Sequence, residues 1–121
     1  MTSSGKATSR IEQREIYLTR YPFSNGELCK VRPALILSNS RYNSRQLDVL
    51  ASPLTSNLRQ VEYSILLGKP NMEEGNLKTA CRIRCDKIGT LERALLVHKI
   101  GKLNAETFEK VRTEIFAVLA D

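Results

Sequence analysis

From Arg14 the chain alternates with period two, Ile16 and Leu18 pointing one way between Glu15, Tyr17 and Thr19, which predicts a strand ended by Tyr21-Pro22. The Asn25-Gly26 pair marks a turn. It leads into Val31 to Leu37, a run apolar on both faces that predicts a central strand with its proline, Pro33, near the start, where proline is tolerated. Ser38 to Arg45 reads as polar loop, and Leu47 to Ala51 as another strand stopped by Ser52-Pro53. Val61, Tyr63 and Ile65 alternate with Glu62 and Ser64 as a half-buried strand, and Gly68 to Asn76 is loop by composition. Thr79 to Ile88 predicts a strand with Ala80, Arg82, Arg84 and Asp86 on one face and Cys81, Ile83 and Cys85 on the other. Leu95 to Leu103 adds one more. The last segment predicts a helix: Asn104 as N-cap, Glu106 in the first turn, then Phe108, Val111, Ile115 and Val118/Leu119 at helical spacing. Leu103 and Phe108 are placed as a hydrophobic staple. Residues 1–10 are polar and predict a flexible leader, which leaves 11–121 as a single domain. Roughly five to seven short strands closed by one helix predict a mainly β fold, a small antiparallel barrel with the helix packed on it.

A chain of 121 residues can bury a core without disulfides or a structural metal. No run approaches the length of a membrane span and no apolar signal segment opens the chain, so a soluble, cytoplasmic protein is expected. Cys29, Cys81 and Cys85 are an odd set, and with His98 as the only histidine they make a poor metal site, so they read as buried or half-buried thiols. The net charge of +6 draws polyanions. Its basic side chains gather in two stretches, Arg20 to Arg59 and Lys78 to Lys102, while the C-terminal helix is acidic. If the two stretches meet in space they make one positive face, with the helix turned away from it.

The sequence has no Gly-rich phosphate loop, no zinc-protease motif, no nucleophile elbow and no histidine triad. Its chemistry has to run on arginine, carboxylate and hydroxyl groups. That set suits a phosphodiester: the arginine fork matches it bidentately and stabilises the extra charge of a pentacovalent phosphate. When the nucleophile is the substrate's own 2′-hydroxyl, as in RNA, the protein needs only a base, an acid and a charge clamp. Each group also has a plainer reading. Arg32 could be a strand-start arginine paired to Glu27 or Asp48, Thr55-Ser56 ordinary turn residues, and Arg84/Asp86 an ion pair on a solvated strand. Tyr42 and Asn43 read as loop packing, and His98 as a residue without a role.

Four ordered blocks carry a resemblance: Gly26-Glu27 before Arg32-Pro33-Ala34-Leu35-Ile36-Leu37-Ser38, then Ser52-Pro53-Leu54-Thr55-Ser56, then Ile83-Arg84-Cys85-Asp86-Lys87-Ile88-Gly89-Thr90-Leu91, and Lys99-Ile100-Gly101-Lys102-Leu103. Together, over roughly residues 12–119, the chain resembles the MazF/PemK (Kid) family of toxin endoribonucleases. The resemblance implies an SH3-like antiparallel barrel of the MazF/PemK/CcdB type that forms a homodimer, and a toxin of a type II toxin-antitoxin system blocked by a cognate antitoxin. It also implies an mRNA interferase that cuts single-stranded RNA at a short sequence without metal or other cofactor, leaving a 2′,3′-cyclic phosphate. Two other readings stand beside it, a CcdB-like gyrase poison and a non-catalytic RNA- or antitoxin-binding module.

Residue by residue, the resemblance makes Arg32 the acid or charge clamp, Thr55 the hydroxyl that positions the scissile phosphate, and Arg84 with Asp86 the acid and base of the PemK-like branch. With a pKa above about 12 an arginine is a poor proton donor, which favours the clamp role. Ser56 joins Thr55 at the phosphate, Glu27 matches a loop glutamate near the site, and Lys30 and Lys87 are further RNA-binding candidates. The chain departs from the family pattern at Gly26, where the PemK branch has a histidine, at Lys87 in place of glutamine, and at Gly89 in place of a basic residue.

Overall fold

The structure, a computed structural model, describes residues 10–21 and 30–121. The Asn25-Gly26 turn, Glu27, Cys29 and residues 1–9 of the expected leader lie outside the described residues. Eight strands are described: β1 (Glu15–Tyr21), β2 (Lys30–Ile36), β3 (Asp48–Thr55), β4 (Ser64–Leu67), β5 (Met72–Gly75), β6 (Cys81–Arg84), β7 (Gly89–Glu92) and β8 (Leu96–Leu103). Helix α1 (Ser40–Arg45) lies between β2 and β3, and α2 (Ala105–Leu119) follows β8. The strands pair antiparallel in the order β4-β6-β3-β2-β1-β8-β5, with β7 on β3, and curl into a half-barrel. No described helix is long and apolar enough to cross a membrane.

Alternation along the strands produces two apolar faces. Ile16, Leu35, Leu54, Ile83 and Leu103 form one, and α2 covers it with Phe108 and Val111. Ala34, Ile36, Val49, Ala51 and Leu91 form the other, with Ile11 against them. Ion pairs tie β1, β8 and β5 together: Lys99 bridges the buried Glu15 (3.1 Å) and Glu74 (3.0 Å), and Lys102 meets Glu12 (3.0 Å).

Several segments differ from the expectation, each for a local reason. Ser38 to Arg45 is a loop only in part: α1 fills Ser40–Arg45, and its cap is Asn39, whose side chain accepts the Tyr42 N–H at 2.8 Å. A helix of six residues is too short to show a 3.6-residue period. Asn43 within it is fully buried, donating to the Ile11 and Ser38 carbonyls, so it packs the loop as expected. Strand β3 does not stop at Ser52-Pro53 but runs to Thr55. Along one edge β3 pairs β7 up to Ala51 and β6 from Leu54, so Pro53 falls where that ladder changes partner.

Strand β4 starts at Ser64 rather than Val61, because Tyr63 at φ 58° resets the backbone. Gly68 to Asn76 holds a 3-10 turn and the short strand β5 rather than loop throughout. At its end Gly75 has φ +73°, and a side chain there would strike the Ile100 carbonyl. The expected strand Thr79 to Ile88 shortens to β6, after which the chain turns at Cys85-Asp86 and enters β7 at Gly89.

Asn104 caps α2 as expected, accepting the Thr107 N–H at 2.8 Å, and Leu103 and Phe108 meet in one core cluster. Asn104→Ala should therefore lower stability by about 1 kcal/mol in urea unfolding. An unchanged midpoint would mean that the cap contributes nothing.

Candidate active site

The site is set by register. Ala34 on β2 faces Pro53 on β3. Two residues further along each strand the same face carries Arg32 and Thr55. On the other side of β3, Thr55 lies directly opposite Arg82 on β6, and Arg84 follows two residues on. Arg32, Thr55, Arg82 and Arg84 thus share one face of the sheet. The other face, bearing Leu35, Leu54 and Ile83, is under the acidic helix α2.

A cavity of about 530 Å³ opens where β2 begins and β3 ends, and Lys30, Arg32, Thr55 and Ser56 border it along with apolar Leu18, Pro33 and Leu54. A smaller one of about 120 Å³ lies on the β6 side, bordered by Thr55, Asn57, Arg59, Arg82 and Arg84. Thr55 borders both. Its Oγ1 accepts the Asn57 N–H at 3.1 Å, so the hydroxyl hydrogen is oriented for a further acceptor. Arg32 and Thr55 are both half-buried, which strengthens their electrostatics relative to a solvated pair.

Arg84 and Asp86 face one another in a bidentate pair, Nε to Oδ1 at 3.1 Å and Nη2 to Oδ2 at 2.9 Å. The hydrogen bonds from Arg84 hold the Asp86 carboxyl below the ordinary carboxylate range, and Asp86 in turn pushes Arg84 up. Each side chain is 28% exposed. The ion-pair reading of these two residues therefore describes their geometry, while Arg84 also borders the smaller cavity.

Of the remaining candidates, Lys30 and Ser56 border the larger cavity. Lys87 is exposed in the turn after β6, where its N–H donates to the Arg84 carbonyl at 3.2 Å, and it borders neither cavity. Glu27 lies outside the described residues. The two basic stretches meet only in part. Arg41 and Arg45 sit on α1 ahead of the first residue of β3, while Thr55 is its last, a separation of roughly 23 Å at about 3.3 Å per residue. Lys99 and Lys102 are held by Glu15, Glu74 and Glu12.

Arg59 and Arg82 went unassigned in the sequence. Arg82 stands on the polar face of a predicted strand, two residues before Arg84, and that spacing was the only available signal. Its position opposite Thr55 depends on a pairing between strands that no single segment encodes.

The sequence matches the profile of the PemK-like, MazF-like toxins of type II toxin-antitoxin systems over residues 12–119. No curated protein matches it significantly in sequence. Solved structures share its fold. An endoribonuclease of a mycobacterial species, in complex with its cognate antitoxin, superposes with a TM-score of 0.74 at 22% identity, over 90% of this chain and 94% of that one. The Mycobacterium tuberculosis toxin MazF-mt6 gives 0.72 at 22% identity, over 88% and 96%. MazF of Deinococcus radiodurans gives 0.71 at 21% identity, over 89% and 94%. At these identities the neighbours establish the fold, whereas the profile extends over nearly the whole chain: it belongs to the PemK-like, MazF-like toxin family of type II toxin-antitoxin systems.

Proposed function

We propose that this toxin is an mRNA interferase, a metal-independent endoribonuclease that cuts single-stranded RNA at a short sequence. It acts as a cytoplasmic homodimer restrained by a cognate antitoxin. The observation that carries the reading is Thr55, a hydroxyl bordering two cavities with an arginine strand on either side. Similar folds include an endoribonuclease bound to its cognate antitoxin, which supports the antitoxin partner.

In this mechanism Thr55 donates its hydroxyl to a non-bridging oxygen of the scissile phosphate, and the half-buried Arg32 guanidinium neutralises the charge that builds there. The 2′-oxygen attacks phosphorus, its proton passes to the Asp86 carboxylate, and the bond to the 5′-oxygen breaks. The products are a 2′,3′-cyclic phosphate and a 5′-hydroxyl, the latter taking its proton from solvent. Arg84 orients Asp86 and keeps it ionised. Lys30 and Ser56 line the RNA path on the Arg32 side, and Glu27 and Lys87 are further RNA contacts.

The purified protein should cut a long RNA in EDTA at low salt and leave cyclic-phosphate ends, and a 2′-deoxy nucleotide at the cut should block cleavage there. RNA left intact by the wild type would sink the reading.

Because Arg84 holds Asp86 below the ordinary range, the base form persists until the pH falls beneath that lowered value. kcat/KM should then show no acid limb between about pH 5 and 8. A limb with an apparent pKa near 6 would assign the proton transfer to another group.

A further inference from the structure

The smaller cavity is bordered by three guanidinium groups, and they are not equivalent. Arg84 is committed to Asp86 by two hydrogen bonds. Arg82 instead donates through Nε to the Leu58 carbonyl at 3.2 Å and through Nη1 to the Ser64 hydroxyl at 2.9 Å. Both acceptors are neutral, so its charge is not compensated by a carboxylate among the described residues. The remaining N–H groups of its fork stay available to another acceptor. Arg59 likewise has no carboxylate partner among the described residues and borders the same cavity.

At a strand spacing of about 4.8 Å, β2, β3 and β6 carry Arg32, Thr55 and Arg82 side by side, with Thr55 in the middle. The volume of about 120 Å³ and the lining of guanidinium, hydroxyl and amide groups, with Val61 as the apolar exception, suit a tetrahedral anion. A base would need a flat aromatic or apolar platform. The bond from Arg82 to Leu58 also anchors the loop that carries Asn57 and Arg59, so the cluster is organised before any ligand arrives.

We infer that Arg82 and Arg59 bind the RNA phosphate adjacent to the scissile one, making this cavity a phosphodiester subsite in which Arg82, and not Arg84, is the anchoring cation. The subsite rests on the reading of the protein as an RNA-cleaving enzyme. RNA entering across Arg32 and leaving across Arg82 would be gripped on both sides of Thr55, which holds the cut phosphate in line.

The test is binding of a single-stranded oligonucleotide with 2′-O-methyl riboses, which cannot cyclise, followed by fluorescence anisotropy over a salt series. Arg82→Gln should weaken binding about tenfold at low salt, the size of one lost charged hydrogen bond. It should also reduce the slope of log affinity against log salt by about 0.7, the value of one phosphate contact on a single strand. Arg82→Lys should recover the slope and only part of the affinity, because a point charge replaces the fork. Arg59→Gln, an exposed substitution, should lower the slope in the same sense, and it carries the test with Arg82→Lys if Arg82→Gln does not fold. Slopes equal to wild type in Arg82→Gln and Arg59→Gln would overturn the subsite and leave Arg82 a tether for the loop. A wild type that binds with the Arg82 dependence intact but cuts no RNA supports phosphodiester binding by Arg82 and overturns the enzymatic reading, and with it the place of this phosphate beside a scissile one. A wild type with no affinity for RNA overturns both.

Discussion

Arg32→Ala should reduce kcat for RNA cleavage by about 10²–10³-fold, the usual cost of removing one preorganised donor from a developing oxyanion. Arg32 stands beside Thr55 on the same sheet face, half-buried, at the mouth of the larger cavity. The field of a guanidinium placed there is weakly screened, and in the proposed mechanism it acts where negative charge grows as the pentacovalent phosphate forms. Arg32→Lys should recover only part of the loss, since an ammonium retains the charge without the planar fork. The discriminating measurement is single-turnover cleavage at saturating enzyme. Under those conditions weaker binding no longer contributes, and a loss below about tenfold would remove Arg32 from the chemistry.

Phe108→Ala should cost about 3–5 kcal/mol of stability. The ring is 4% exposed and lies in the same cluster as Leu35, Leu54, Ile83, Leu103 and Val111. Removing it opens a cavity between α2 and the sheet at the point where the helix starts. For a domain of this size the loss is a large share of a total near 5–15 kcal/mol. Urea unfolding should show a lower midpoint with an unchanged slope. Because α2 covers the face of the sheet opposite Arg32 and Thr55, the molecules that remain folded should cleave at the wild-type rate. A slower rate in the folded fraction would show that the helix supports the site directly.

The longest patterns in the sequence were the most legible. The alternation around Ile16, the apolar run before Leu37 and the helical spacing of Phe108 and Val111 all correspond to observed elements, and the Asn104 cap is where it was expected. What the sequence concealed was short or depended on a partner strand. Helix α1 and strands β5 and β7 are too brief for a period to emerge. The passage of β3 through Pro53 is possible only because β7 gives way to β6 beside it. The active-site candidates followed the same rule. Arg32, Thr55, Arg84 and Asp86 were identifiable as candidates through ordered blocks of family resemblance, and the common face of Arg32, Thr55 and Arg84 follows from register, while Asp86 reaches Arg84 from the turn after β6. Arg82 belongs to that face by a cross-strand pairing with Thr55 that no local motif announces.

Strand β6 also has an inner side. Cys81 and Cys85 are buried there on either side of Ile83, and burial raises both thiols, Cys85 to about 12. Since only the thiolate is nucleophilic, these sulfurs are silent toward alkylating reagents while the sheet is closed. They react when β6 detaches from β3 and β4, and the same event carries Arg82 and Arg84 away from Thr55. The labelling rate of two core cysteines is therefore a clock for how often the face that carries Thr55, Arg82 and Arg84 comes apart.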